Sequence, residues 1–412
     1  MSRNLNGAGG APMPNRRVLV VGDYPIGYAN GIGETFANLV ADLPDASIFQ
    51  CHPAHLQPLD GKGVGTASTF TWPRRPASWP DWASQMYRPL LKLRQATAQT
   101  RLFEIASAAI RRHQIDAVIA YPVTPWVLFA VVRLRRAFPD VRFVFYVMDD
   151  WEGHHTCFGL PFTARRRAAL NEMVATSDAR FACSHLMKRD YQQRFSNAWD
   201  VLHKGVDVAA LPAGQPFRFS NILYTGAMNM FRFDAVLAFA EGLRRYRESS
   251  GRDVTLTMLG PTPDREYSSA LARYGFIRTE PWVDNAACQR RMATADVLYL
   301  PLSFEPKLER IANLAMPTKF PEYLASGRPT IFHVPRESEV HQLAEGEGLP
   351  LTITSVDPQA TCDLLTRMDR GAFDVADYQL RAQRLLRAEF DQSVLRRRLA
   401  TALWPPANGV ES

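Results

Sequence analysis

Short apolar runs recur along the chain, separated by stretches in which apolar residues return at helical spacing. RRVLVVGD (16–23), ASIFQCH (46–52), DAVIAYP (116–122), VRFVFYVMDD (141–150), ARFACS (179–184) and DVLHKGVD (200–207) read as strands. NGIGETFANLVADL, after the first of them, begins a helix. Continuous apolar strands with helices between them predict a parallel sheet covered on both faces. AALPAGQPFRFS (209–220) breaks the pattern, and its prolines and glycine mark a linker at 208–220. The pattern then restarts with NILYTG (221–226), VTLTMLG (254–260), FIRTEPW (276–282), ADVLYLPL (295–302), RPTIFHV (328–334) and LPLTI (349–353). The predicted fold is α/β, with two doubly wound Rossmann-like domains, 16–207 and 221–377, facing a cleft. Residues 1–15 read as a disordered tail, and 378–404 as a helix packing back on the first domain.

The 412 residues suit two domains, and 46% hydrophobic with 22% charged residues is ordinary for a globular chain. The longest apolar run, WVLFAVV (126–132), is far short of the roughly 20 residues that span a bilayer. Five scattered cysteines without a C-x-x-C pair argue against structural zinc and disulfides and fit a reducing cytoplasm. Cys183 and Cys288 read as small packing residues. The net charge of +7 is uneven: between Trp72 and His113 lie eight Lys/Arg against two Asp/Glu, interleaved with Trp72, Trp79 and Trp82. That mix suits a surface facing anionic lipid or nucleic acid. A solvated basic helix face is the plainer reading.

Ligands of open parallel sheets gather at the carboxyl ends of strands. After the first strand, Gly31 and Gly33 bracket Ile32 at a helix start, where backbone N–H groups meet an anion; glycines used only for turning are the alternative. The second strand ends QCHP without an acid, which argues against NAD. In VMDDWEGHH (147–155), Asp149 and Asp150 leave a buried strand side by side. One can face the cleft as a base or a hydroxyl ligand while the other caps the next segment. The spacing with His154 and His155 matches no recognised metal set. Gly226 ends a strand with Arg232 close behind, suited to a phosphate. Trp282 offers a wall for a planar base or a core ring. In PTKFPEYLASGRPTI (317–331), Lys319 and Glu322 share one helix face. Lysine at the helix start suits a diphosphate, and a carboxylate one turn on accepts two ribose hydroxyls; a surface ion pair is the plainer reading.

The pattern P-x-K-F-P-E-Y-L-A-S-G-R-P at 317–329, preceded by Asn313, resembles the donor-binding helix of GT-B fold glycosyltransferases, especially family four. The Gly31-Ile32-Gly33 loop, the strand ending DDW, HKGVD (203–207), YTG and ADVLYLPL follow in the family's order, and the resemblance covers 16–403. It implies that Glu322 binds the donor ribose, and that Lys319 and Gly226 lie by its diphosphate. Gly31 and Gly33 reach the same group from the first domain, and Asp149 or Asp150 stands near the donor sugar or acceptor. It implies no cofactor and no bound metal. The family's Glu-x7-Glu pair requires an acid at Leu314. Glu305 and Glu309 are the candidates to replace it, so retention or inversion stays open. Lys204 stands where many relatives have asparagine.

The expectation is a cytoplasmic glycosyltransferase, peripheral on the inner membrane face through 72–113. It takes a nucleotide-diphosphate sugar as donor and a glycan or lipid-linked hydroxyl as acceptor, in surface polysaccharide synthesis. Asp149, Asp150 and Glu305 are the catalytic candidates. Gly31, Gly33, Gly226, Arg232, Trp282, Lys319 and Glu322 are the substrate-binding candidates. A nucleotide-sugar 2-epimerase, a nucleic-acid-binding or DNA-glucosylating protein, and a non-catalytic nucleotide-sugar sensor are the alternatives.

Overall fold

Runs that bury every side chain form the centre of each sheet, as Val18, Leu19, Val20 and Val21 do, each at most 1% exposed. The computed structural model describes residues 16–28, 30–40, 43, 45–56, 64–70, 81–157, 162–211 and 217–406, with backbone only for 81–94. In the first sheet run β1 (Arg16–Gly22), β2 (Ala46–Pro53), β3 (Val64–Phe70), β4 (Ala117–Tyr121), β5 (Arg142–Val147), β6 (Ala179–Ala182) and β7 (Asp200–Val201). Their order is β3-β2-β1-β4-β5-β6-β7, and every pair is parallel. The second sheet comprises β8 (Asn221–Thr225), β9 (Thr255–Leu259), β10 (Ile277–Glu280), β11 (Val297–Pro301), β12 (Thr330–His333) and β13 (Thr352–Ile353). It is also parallel, in the order β10-β9-β8-β11-β12-β13. Two doubly wound α/β domains result, the GT-B architecture.

Two elements depart from the sequence pattern. β3 (VGTASTF) has no apolar run because it is an edge strand with little of its surface buried. The expected terminal helix is two helices, Val375–Glu389 and Gln392–Leu403. The break lies where Val206 donates to the Phe390 carbonyl (2.8 Å) and Gln392 donates to the Val206 carbonyl (3.1 Å). The second helix then lies on the first domain, with Arg396 Nε donating to the Asn38 carbonyl at 2.6 Å.

Of the basic stretch, 72–80 and the side chains of 81–94 lie outside the described residues. Asp81–His113 is one helix, with Arg111 and Arg112 exposed near its end. No helix among the described residues is long and apolar enough to cross a membrane. Of the expected tail and linker, 1–15 and 212–216 also lie outside them.

The domains are tied by polar groups. Glu339 of the second domain accepts from the His185 and Leu186 N–H groups at 2.9 and 2.8 Å. It thereby caps the His185–Phe195 helix of the first domain, a favourable place for a negative charge. Ser184 Oγ donates to the Leu314 carbonyl at 2.7 Å.

Candidate active site in the interdomain cleft

Strand order reverses direction at β1/β4 in one sheet and at β8/β11 in the other, the positions where such folds open a crevice. Between them lie two adjoining cavities of about 360 Å3 each. Asn30, Gly31, Arg232, Pro317 and Thr318 border both and form the seam.

Gly31 allows the seam to close. A Cβ there would lie 2.8 Å from Oγ1 of Thr318, across the cleft. Asn30 Oδ1 accepts the Gly33 N–H at 2.8 Å and caps the Gly31–Val40 helix. Gly33, expected at the diphosphate, borders neither cavity: its Cβ position is 2.5 Å from the Tyr28 carbonyl, so it serves the packing of the loop. Gly31→Ala should wedge Thr318 away at a cost of about 1–3 kcal/mol, the usual range for overpacking. Urea denaturation checks this, and adding Thr318→Ala should restore most of the loss.

The paired aspartates divide their work. Asp149, half-buried after β5, lines the first cavity with His154. Burial pushes its carboxyl above the ordinary range and the Asp150 charge adds to this, while His154 and Arg232 oppose it. Asp150 is buried and caps the Trp151–Thr156 helix by accepting the Gly153 N–H at 2.7 Å. Its oxygens also accept from Tyr191 Oη (3.1 Å) and from Arg310 Nε and Nη2 of the second domain (2.7 and 3.0 Å). That carboxylate joins the domains and borders neither cavity, which removes Asp150 from the catalytic candidates.

Lys319 and Glu322 belong to the Lys319–Ala325 helix. Lys319 Nζ donates to Glu322 Oε2 at 2.7 Å, and Lys319 lines the second cavity. Glu322 is 4% exposed. Its other oxygen accepts from Lys204 Nζ, which also donates to Glu34 Oε2 at 2.6 Å. Burial alone would raise the Glu322 carboxyl, but Lys204 and Lys319 hold it below the ordinary range. The predicted ribose ligand is thus engaged by two lysines, and Lys319 is the member of the pair presented to the cavity. Lys204 was missed as a partner because Glu322 lies 118 positions away. Its sequence signal is its place in HKGVD (203–207), where many relatives have asparagine, and that does not name a partner.

Arg232 lines both cavities and donates to Asn229 Oδ1 at 3.2 Å. Gly226 lines the second cavity at φ +135°, a conformation that favours glycine. Trp282 stands at that cavity with 56% of its surface exposed, so it is not a core ring. Glu305 is exposed, 3.7 Å from Lys307, and borders neither cleft cavity; Glu309 is exposed too. Neither the expected catalytic role of Glu305 nor its substitution for the acid missing at Leu314 fits that placement. Among the described residues, one group of His and Glu has ligand atoms close enough for a metal ion: His185, His203 and Glu389.

The fold and cleft define a GT-B architecture, and solved structures agree. HepE from Anabaena, in complex with UDP, superposes with a TM-score of 0.65 at 13% identity, over 94% of this chain and 99% of that one. An α,α-trehalose-phosphate synthase (UDP-forming) from Burkholderia xenovorans, in complex with glucose-6-phosphate, gives 0.64 at 14% identity over 94% and 100%. A glycosyltransferase from Rickettsia africae gives 0.64 at 12% identity over 96% and 100%. No family model matches the sequence. No curated protein matches it significantly.

Proposed function

We propose that the chain is a glycosyltransferase that moves a sugar from a nucleoside-diphosphate donor to an acceptor hydroxyl. The observation that carries this reading is the meeting of Gly31, Arg232 and Lys319 around the seam, with Asp149 on the wall of the first cavity. The nucleotide occupies the second cavity, its base beside Trp282 and its diphosphate beside Gly226, Arg232 and Lys319. In the transfer, the bond from the sugar's anomeric carbon to the diphosphate breaks and a bond to the acceptor oxygen forms. The acceptor proton passes to Asp149, and the two cations stabilise the departing diphosphate. The complexes of HepE with UDP and with UDP-glucose, on the same fold, support a uridine nucleotide. We further infer an acceptor that is a glycan or a lipid-linked glycan, in surface polysaccharide synthesis. Phe231, Leu302 and Met316 support it by giving the first cavity an apolar wall.

The test is a thermal-shift panel of UDP-, GDP-, ADP- and dTDP-sugars. One nucleotide class should raise the midpoint, and turnover should then require an acceptor. Turnover of the donor to an epimer without any acceptor would replace this reading with the epimerase. Lys319→Ala should weaken donor binding by about 1.5–3 kcal/mol, the worth of a charge-assisted hydrogen bond. Titration calorimetry reads this directly. The fold should hold, because Lys204 still partners Glu322.

A further inference from the structure

We propose that His185, His203 and Glu389 form a divalent-cation site, zinc by its donor set, where the C-terminal helices rejoin the first domain. His185 begins its helix, His203 follows β7, and Glu389 ends the Val375–Glu389 helix. One ring nitrogen of each histidine and a carboxylate oxygen lie within 4.8 Å of one another.

The hydrogen bonds leave one buried nitrogen of this group without a partner. His203 Nδ1 lies 2.9 Å from the Cys183 carbonyl, which can only accept, so Nδ1 carries the proton. Nε2 is then a bare lone pair. It is buried without a hydrogen-bond partner, and it faces Glu389 Oε2 at 3.9 Å. Two acceptors oppose each other, an arrangement that costs energy unless something positive lies between them. The same carboxylate oxygen is 2.9 Å from His185 Nε2. Ligands about 2.0–2.1 Å from a tetrahedral zinc stand roughly 3.3 Å apart, and the two separations bracket that value. A histidine held through its other nitrogen by a backbone carbonyl is also how proteins orient metal-bound imidazole.

Side-chain exposures of 36% for His185 and 29% for Glu389 leave an entry path and room for a water as fourth ligand. Apart from the His185 ring, which the Glu389 carboxylate already contacts, the nearby cations are directed elsewhere. Arg398 donates to the Val201 carbonyl at 2.8 Å and faces Asp200, as Lys188 does. Two histidines with one carboxylate suit zinc better than magnesium or calcium. The ion would pin the segment after β7, which leads into the linker, to the helix returning from the second domain. Its role is structural: His203 also borders the first cavity, but no step of the transfer passes through the ion.

The full chain, stripped with a chelator, is titrated with Zn(II) and with Co(II). About one equivalent should bind, cobalt should show the visible absorption of a tetrahedral site, and saturating zinc should raise the thermal midpoint by several degrees. His203 is too buried to be a safe variant, so His185→Gln and Glu389→Gln carry the test. Each should weaken binding by more than about 100-fold, beyond the loss that outer partners cause. Absence of the cobalt band in the parent chain overturns the site. So does an undiminished band in both variants, which would place the ion on other histidines. Neither result bears on the nucleotide panel, so this proposal and the transferase reading fail separately.

Discussion

Asp149→Asn should slow sugar transfer by about 10²–10⁴-fold, the usual contribution of a positioned general base. The amide keeps the shape of the carboxylate and loses its ability to take the acceptor proton. Donor affinity should change little, because the nucleotide is held from the second cavity. Two pH effects separate catalysis from structure. The Asp149 carboxyl is raised above the ordinary value of about 3.9, so the acid limb of kcat/KM should lie above that pH and vanish in the variant. Stability runs the other way. A carboxyl raised by folding binds its proton more tightly in the native state, so its ionisation removes stability as pH rises from the unfolded value through the folded one. At neutral pH the Asn variant should therefore unfold no more easily than the parent. A variant with near-parental turnover would remove Asp149 from the mechanism.

The two sheets were legible because their central strands bury all or nearly all of their side chains, and a buried strand is a continuous apolar run. β3 was not, since an edge strand whose five central residues are Gly, Thr, Ala, Ser and Thr carries little burial signal. At the site, sequence could place groups at strand ends but could not orient them. Asp149 and Asp150 are adjacent and chemically identical. Only Arg310, from the second domain, reveals that Asp150 is consumed in joining the domains. Gly33 was legible as a loop glycine, yet its contact with Tyr28 was hidden in the turn that separates them. Glu305 was singled out by its resemblance to the family's first glutamate, a local likeness that carries no information on whether its side chain reaches the cleft, and it borders neither cavity. Lys319 and Glu322 were recognised as a pair, whereas the lysine on the far side of Glu322 comes from the other domain. Contacts across the domain boundary were the part a linear reading could not supply.

Lys204 is the strongest test of that boundary. Lys204→Met should destabilise the chain by about 3–5 kcal/mol, the cost of removing one member of a buried ion pair. Methionine preserves most of the stem's volume, so the loss reports charge rather than a cavity. Lys204 and Glu322 are 6% and 4% exposed, and Glu34 shares the same ammonium, so the deletion leaves two carboxylates short of a partner. Urea denaturation at neutral pH reads the effect, and Glu322→Gln in the same chain should recover part of it by removing a buried carboxylate left with Lys319 as its one lysine partner. The pH dependence gives an independent check. In the parent, the Glu322 carboxyl is held below its unfolded value of about 4.3, so its stabilisation is present above that pH and lost as pH falls through the folded value. Without Lys204, burial is opposed by Lys319 alone and the carboxyl moves up. Acidification should then narrow the gap between variant and parent. Because Lys204 lies in the segment after β7 that leads to the linker and Glu322 on the helix that presents Lys319, the variant should also bind donor more weakly. Unchanged stability at neutral pH would mean that the pair is solvated and that the cleft is held shut by Arg310 and Glu339 instead.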